Sequence, residues 1–272
     1  MEKILVLGAS GTVGAAVYRQ LGQCSAFDLY GTYFHRKTDD PQMRYFSLEE
    51  PEHINDLLAE IAPDVVISAL RGDFERQMEV HMLTAEYLRE HQGRMLFLST
   101  ANVFDGDLTS PHYEDDIPQS VSEYGKFKIL CEDGLRERLG DRAVILRIPF
   151  VFGRHSARTL QVKAGCQAGT VDVYKNLVSN YVTDLQIADY VEWIVKEKKE
   201  GIFHIGTTDV MDYGEFARRL VRKFCTEYPT FHYLDAGGNM AVLSRRRDVP
   251  SRMEWNVDRV IAFLCNSSAM QN

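Results

Sequence analysis

A short apolar run from Lys3 to Leu7 ends in Gly8-Ala9-Ser10-Gly11-Thr12-Val13-Gly14, and a helical pattern begins at about Thr12. This junction constrains the fold more than any other segment. Glycines at that spacing allow a tight turn, close approach of backbone N–H groups to a phosphate, and close helix–sheet contact. The chain has 19 glycines, and chance alone would give about 0.1 such triple in it. The spacing differs by one residue from the G-x-G-x-x-G fingerprint, and a plain strand–helix turn is the alternative reading.

The segments that follow keep alternating. Strands are expected at Leu29 to Phe34, Arg44 to Phe46, Asp64 to Leu70 and Met95 to Ser99, with helices near Pro51 to Ile61 and Phe74 to His91. Near-continuous apolar runs such as Val65-Val66-Ile67 suit parallel strands buried on both faces. The pattern predicts an α/β fold with a Rossmann-type doubly wound parallel sheet. A turn-rich stretch from Asp105 to Ser122 should border the active site. A helix from Tyr124 to Leu139 and a strand from Ala143 to Ile148 follow it. Beyond Pro149 the pattern loosens, with a helix near Leu185 to Lys196, a strand at Ile202 to Ile205 and a helix near Tyr213 to Phe224. The expected division is a dinucleotide-binding domain over residues 1–150. Residues 151–272 would form a smaller C-terminal substrate-binding portion, partly woven back onto the first, and Asn266 to Asn272 read as a polar tail.

A net charge of −8 argues against general nucleic-acid binding, which needs a basic surface. Five cysteines, Cys24, Cys131, Cys166, Cys225 and Cys265, show no metal-site spacing and read as reduced thiols. No segment approaches a membrane span or a signal h-region, so the expected location is the cytoplasm. No catalytic metal is expected: the histidines show no His-Glu-x-x-His arrangement. Beyond a small-molecule substrate, a homodimer is the one partner left open.

Tyr124-Gly-Lys-Phe-Lys128 places a phenol and an ammonium one helical turn apart, where the positive charge should favour phenolate. The spacing alone is weak evidence, because Tyr33 and Lys37 repeat it in an extended segment. Context separates the two: only Tyr124 has the Ser99-Thr100 pair upstream and the glycine loop at the start of the chain. At the end of the second strand, where a carboxylate would bind the ribose 2′-hydroxyl of NAD, the chain reads Phe34-His35-Arg36-Lys37. The two cations favour a 2′-phosphate, hence NADP, with NAD as second choice.

On these residues the chain resembles the extended short-chain dehydrogenase/reductase superfamily, and most closely its dTDP-4-dehydrorhamnose reductase branch. The motifs carrying the resemblance are the Gly8 loop, Gly31 to Arg36, Ala62 to Ile67, Ser99-Thr100-Ala101-Asn102-Val103-Phe104-Asp105-Gly106, Tyr124 to Lys128, and Leu146-Arg147-Ile148-Pro149-Phe150-Val151-Phe152-Gly153. Tyr181 to Leu185 and Gly201 to Ile205 resemble that branch's later landmarks. The chain departs from the branch after the fourth strand, where Ser68-Ala69-Leu70-Arg71 sets a long cation beside the expected coenzyme site. It departs again at Ser47, where a carboxylate is usual, and at Arg245-Arg246-Arg247, which matches the substrate segment loosely.

The resemblance implies that Thr100, Tyr124 and Lys128 are catalytic. Gly8, Ser10, Gly11, Thr12, Val13, Gly14, His35, Arg36, Lys37, Ala69, Leu70 and Ser99 would bind the coenzyme together with Tyr124 and Lys128. The implied activity is NAD(P)H-dependent reduction of a nucleotide-linked 4-keto sugar. Asn102, Val103, Arg154, Arg158 and Arg245 are the substrate-binding candidates. The alternatives are a sugar-nucleotide epimerase of the same fold and a non-catalytic NADP-binding regulatory subunit, since the branch includes a protein that regulates methionine adenosyltransferase.

Overall fold

The computed structural model describes residues 1–35 and 38–266. It opens with β1 (Glu2–Leu7), α1 (Thr12–Leu21), β2 (Phe27–Tyr33), β3 (Met43–Tyr45), α2 (Ile54–Ile61), β4 (Val65–Ser68), α3 (Phe74–Glu90), β5 (Arg94–Thr100), α4 (Glu123–Leu139) and β6 (Ala143–Ile148). It continues through β7 (Phe150–Val151), α5 (Ala157–Ala168), β8 (Thr170–Ser179), β9 (Tyr181–Val182), α6 (Asp184–Lys196) and β10 (Ile202–His204). The last elements are β11 (Met211–Asp212), α7 (Tyr213–Phe224), β12 (Thr230–Asn239) and α8 (Val257–Cys265).

Seven strands form one sheet in the order β10-β6-β5-β4-β1-β2-β3, every neighbouring pair parallel. This is the doubly wound α/β architecture. The two-residue alternation of β1 shows how the sheet is covered on both faces. Ile4 and Val6 enter one buried cluster with Val17 and Leu21 of α1 and Ile187, Val191 and Ile194 of α6. Leu5 and Leu7 enter the other with residues of α2, α3 and α4, among them Leu58, Val80, Leu88 and Leu135. Strand order reverses between β1 and β4, which opens a crevice at their carboxyl ends.

The later half returns to this sheet through α6, packed beside α1, and through β10, paired with β6. A separate three-stranded sheet, β11-β8-β12, packs with α5, α7 and α8 around Phe152, Val171, Tyr181 and Phe216.

Here the structure contains four long elements that the sequence pattern does not announce: α5, β8, β12 and α8. Helix α5 buries only Thr159 and Val162 and carries Gly165 inside, so it lacks a clear apolar stripe. Its caps were nevertheless readable, with Ser156 accepting a hydrogen bond from Thr159 N at 3.4 Å and Gly169 in the left-handed region. Strand β12 is largely exposed and shifts register between Asp235 and Gly238, so its partner β8 defines it more than its composition does.

The cysteine expectation also needs correction. Cys166 and Cys225 form a disulfide across α5 and the end of α7, with Cα atoms 5.4 Å apart. The other three are free. Sequence spacing could not show this because the two residues are 59 positions apart. No helix among the described residues is long and apolar enough to cross a membrane.

Candidate active site

The Gly8 loop is shaped by backbone contacts that only glycine permits. Gly8 has φ +79°, and a Cβ on it would lie 2.9 Å from the Ala69 carbonyl oxygen. A Cβ on Gly14 would lie 2.1 Å from the Gly8 oxygen, so α1 starts pressed against the loop. Thr32 of β2 anchors the turn by accepting a hydrogen bond from Gly8 N at 2.8 Å. Gly11 caps α1 without a side-chain hydrogen bond, and no acidic residue stands in the first turn. The helix terminus therefore offers N–H dipoles to an anion.

The other wall is built by β5 and α4. Thr100 ends β5, and its hydroxyl donates to Asn102 Oδ1 at 3.0 Å. Ser122 begins α4 by accepting from Gly125 N at 3.1 Å. Asp105 holds the preceding loop, accepting from the Ser120 hydroxyl at 2.6 Å and Val121 N at 2.7 Å, and also from the Ser122 hydroxyl. A Cβ on Gly125 would fall 2.3 Å from the Asn102 oxygen, so this glycine allows α4 to begin beside the end of β5. Tyr124 and Lys128 then share the helix face beside Thr100.

Lys128 is 5% exposed, and its ammonium donates to the Leu98 carbonyl at 3.0 Å and lies 4.3 Å from the centre of the Phe97 ring. Burial pushes its pKa down to about 8, although nearby Cys131 and Glu132 favour the charged form. The ammonium is 6.0 Å from the centre of the Tyr124 ring. Although 40% of Tyr124 is exposed, enclosure of its phenol raises the pKa, outweighing the Thr100 hydroxyl and the Arg71 charge, which both favour phenolate. This reverses the expected downward shift: desolvation of the phenolate exceeds the charge effect.

One pocket of about 310 Å³ joins these parts. Of the predicted residues it gathers Gly11, Thr12, Val13, Gly14, Ala69, Leu70, Ser99, Thr100, Asn102, Tyr124, Lys128 and Arg158. Gly8 and Ser10 lie in the turn outside the lining. His35 stands beyond the end of β2, its ring 4.0 Å from that of Phe34. Arg36 and Lys37 lie outside the described residues.

Three substrate candidates are placed elsewhere. Val103 is fully buried among Ala101, Phe104 and Val242, because the 3-10 turn at Ala101–Phe104 directs it inward. Arg154 donates to the Phe263 carbonyl at 3.2 Å and covers that ring. Arg245 stacks on Tyr113 at 3.7 Å and pairs with Asp115 at 3.5 Å. In their place the pocket takes Phe150, Ser179, Met240 and Arg71. Ser179 and Met240 come from the β8–β12 region and carried no sequence signal; Arg71 was conspicuous as a long cation following an apolar strand.

Comparison with known proteins agrees with this geometry. The model of the RmlD substrate binding domain matches residues 1–236. Methionine adenosyltransferase 2 subunit beta of Danio rerio is 25% identical across 100% of this chain and 88% of its own length. A dTDP-4-keto-6-deoxy-D-glucose reductase of Streptomyces niveus is 26% identical over 51% of this chain and 49% of its own. Among solved structures, dTDP-4-dehydrorhamnose reductase from Yersinia enterocolitica superposes with a TM-score of 0.79 at 16% identity, covering 97% of this chain and 100% of that one. The likeness to that structure speaks to the fold. The match to the family model spans far more than half of the chain, and the chain belongs to the RmlD substrate binding domain family, within the extended short-chain dehydrogenase/reductase fold.

Proposed function

We propose that this chain is an NAD(P)H-dependent reductase acting on the carbonyl of a nucleotide-linked 4-keto sugar. The observation that carries the reading is the single pocket in which the glycine turn meets Thr100, Tyr124 and Lys128. The turn fits a dinucleotide: glycine at 8 and 14 lets the loop and the start of α1 close on each other, and the first-turn N–H groups of α1, which have no intrahelical partner, lie in the pocket lining at Thr12 to Gly14. When bound, a reduced nicotinamide would supply hydride. Arg36 and Lys37 support NADP by their charge. Solved relatives of this fold include a dTDP-4-dehydrorhamnose reductase from Bacillus anthracis in complex with NADP and the Bordetella bronchiseptica enzyme WbmH in complex with NAD+.

The chain's own residues then divide the work. The raised pKa of Tyr124 keeps its phenol protonated near neutral pH, the state required to donate a proton to a developing alkoxide. Thr100 supplies a second hydroxyl at the same oxygen. Lys128 commits one ammonium hydrogen to Leu98 and retains two donors for a ribose or for the phenol. Asn102 orients Thr100, and Arg158, held 4.6 Å from the centre of the Phe150 ring, is the pocket's substrate-side cation.

Oxidation of NADPH, with NADH in parallel, in the presence of dTDP- and UDP-linked 4-keto sugars tests the reading. Tyr124→Phe should lower turnover by about 10²- to 10⁴-fold while coenzyme binding persists; undiminished turnover in that variant overturns the assignment. The full-length likeness to methionine adenosyltransferase 2 subunit beta favours one competing reading, a regulatory subunit. A stable complex with a methionine adenosyltransferase, and no carbonyl-dependent coenzyme oxidation, would select it.

A further inference from the structure

Arg71 stands on the loop between β4 and α3, two residues beyond Ala69, whose carbonyl meets the Gly8 turn. Because β1 and β4 are neighbours at the point where strand order reverses, this loop and the glycine turn leave the sheet side by side. Arg71 lines the same pocket as Gly11 to Gly14, Tyr124 and Lys128. Its loop is firmly set: Gly72 has φ +140°, a conformation side chains disfavour, and buried Gln77 donates to the Gly72 carbonyl at 2.8 Å. The nearest acid in sequence, Asp73, is engaged as the cap of α3, accepting from Arg76 N at 3.0 Å. No hydrogen bond or ion pair ties the Arg71 guanidinium to another of the described residues.

The glycine turn on the opposite side of the crevice carries no cation. Residues 8–14 contain no basic side chain, so on that side a dinucleotide's pyrophosphate would meet N–H dipoles and hydroxyl groups but no positive side chain. We propose that Arg71 is a pyrophosphate-binding residue that pairs with the phosphate oxygens cradled by the Gly11–Gly14 turn. The inference rests on the dinucleotide reading of the pocket. A guanidinium suits the task because it can meet two phosphate oxygens with parallel N–H bonds, and its charge is independent of pH in the working range. The same guanidinium shares the pocket with Tyr124 and Lys128, and its charge acts to lower the pKa of both.

Equilibrium binding of NADPH, NADH and ADP-ribose to the full-length chain and to Arg71→Gln and Arg71→Lys separates the sources of affinity. All three ligands share the pyrophosphate, and NADPH alone has the 2′-phosphate. Arg71→Gln should weaken all three by a similar factor, about 10- to 100-fold, with Arg71→Lys between it and the unaltered protein. The difference should narrow as salt is raised. Because Arg71 is exposed, unliganded melting temperatures should coincide, which separates a binding loss from a folding loss. Unchanged affinity in Arg71→Gln, or a loss confined to NADPH, overturns the proposal while leaving the dinucleotide reading intact. If the unaltered protein binds none of the three ligands, the dinucleotide reading falls and Arg71's role with it.

Discussion

Two buried cations lie close together in this molecule and are treated in opposite ways. Arg147 of β6 is 1% exposed and is paired with Glu132 of α4, Nη2 to Oε2 at 2.7 Å, while Ser99 donates to the other carboxylate oxygen at 2.5 Å. Lys128, one helical turn before Glu132, is 5% exposed and has a backbone carbonyl and aromatic faces for neighbours. The first arrangement compensates a desolvated charge and locks α4 to the sheet. The second leaves the charge poorly compensated and its proton loosely held. A structural cation is surrounded by acceptors, whereas one poised for chemistry is kept short of them.

Breaking the compensated pair should have the largest effect. Glu132→Ala strands the Arg147 guanidinium in the core and should cost about 3–5 kcal/mol of stability, measured by urea denaturation. Replacing both, Glu132→Met with Arg147→Met, should recover most of that loss. If the single and double replacements are equally destabilised, the pair is not what compensates the charge.

Lys128→Met should act in the other direction. Because the folded-state pKa of about 8 lies below the ordinary 10.5, the unfolded chain binds more protons between those values, and stability contributed at this site rises with pH across that window. Below pH 8 the charged ammonium carries a penalty on the order of 3 kcal/mol. The variant should therefore be more stable than the unaltered protein at pH 7, with the advantage shrinking toward pH 10.5. Denaturation midpoints of both proteins at pH 7 and pH 10 check it; an advantage that is flat with pH removes the contrast with Arg147.

The smallest expected effect concerns the start of the helix that carries both Lys128 and Glu132. Ser122→Ala removes the cap on Gly125 N and one of the donors to Asp105, and should cost about 1 kcal/mol. Thermal melting reads it. A loss several times larger would mean that Asp105 and its loop, rather than the cap, hold the beginning of α4.

Much of the first half was legible in the sequence. Strand β6 falls at the boundaries read from the sequence, and in the second half helix α7 does too, because apolar runs and amphipathic periodicity are local signals. Thr100, Tyr124 and Lys128 were also legible, since two of them share a helical turn and the third closes an apolar strand. The placement of the arginines was not. Arg154, Arg158 and Arg245 are equivalent as sequence, yet one packs on Phe263, one lines the pocket and one stacks on Tyr113. The pairing of β8 with β12 is likewise a long-range choice, with some sixty residues between partners.

The sequence by itself determined the doubly wound sheet, the glycine turn and the helical spacing of the phenol and ammonium, because each follows from steric rules acting over a few residues. Tertiary structure decided which arginines face the pocket, that Cys166 meets Cys225, and that Tyr124 is driven toward its protonated form. Those outcomes depend on burial and on neighbours distant in the chain, and desolvation has no value until the surrounding walls are in place.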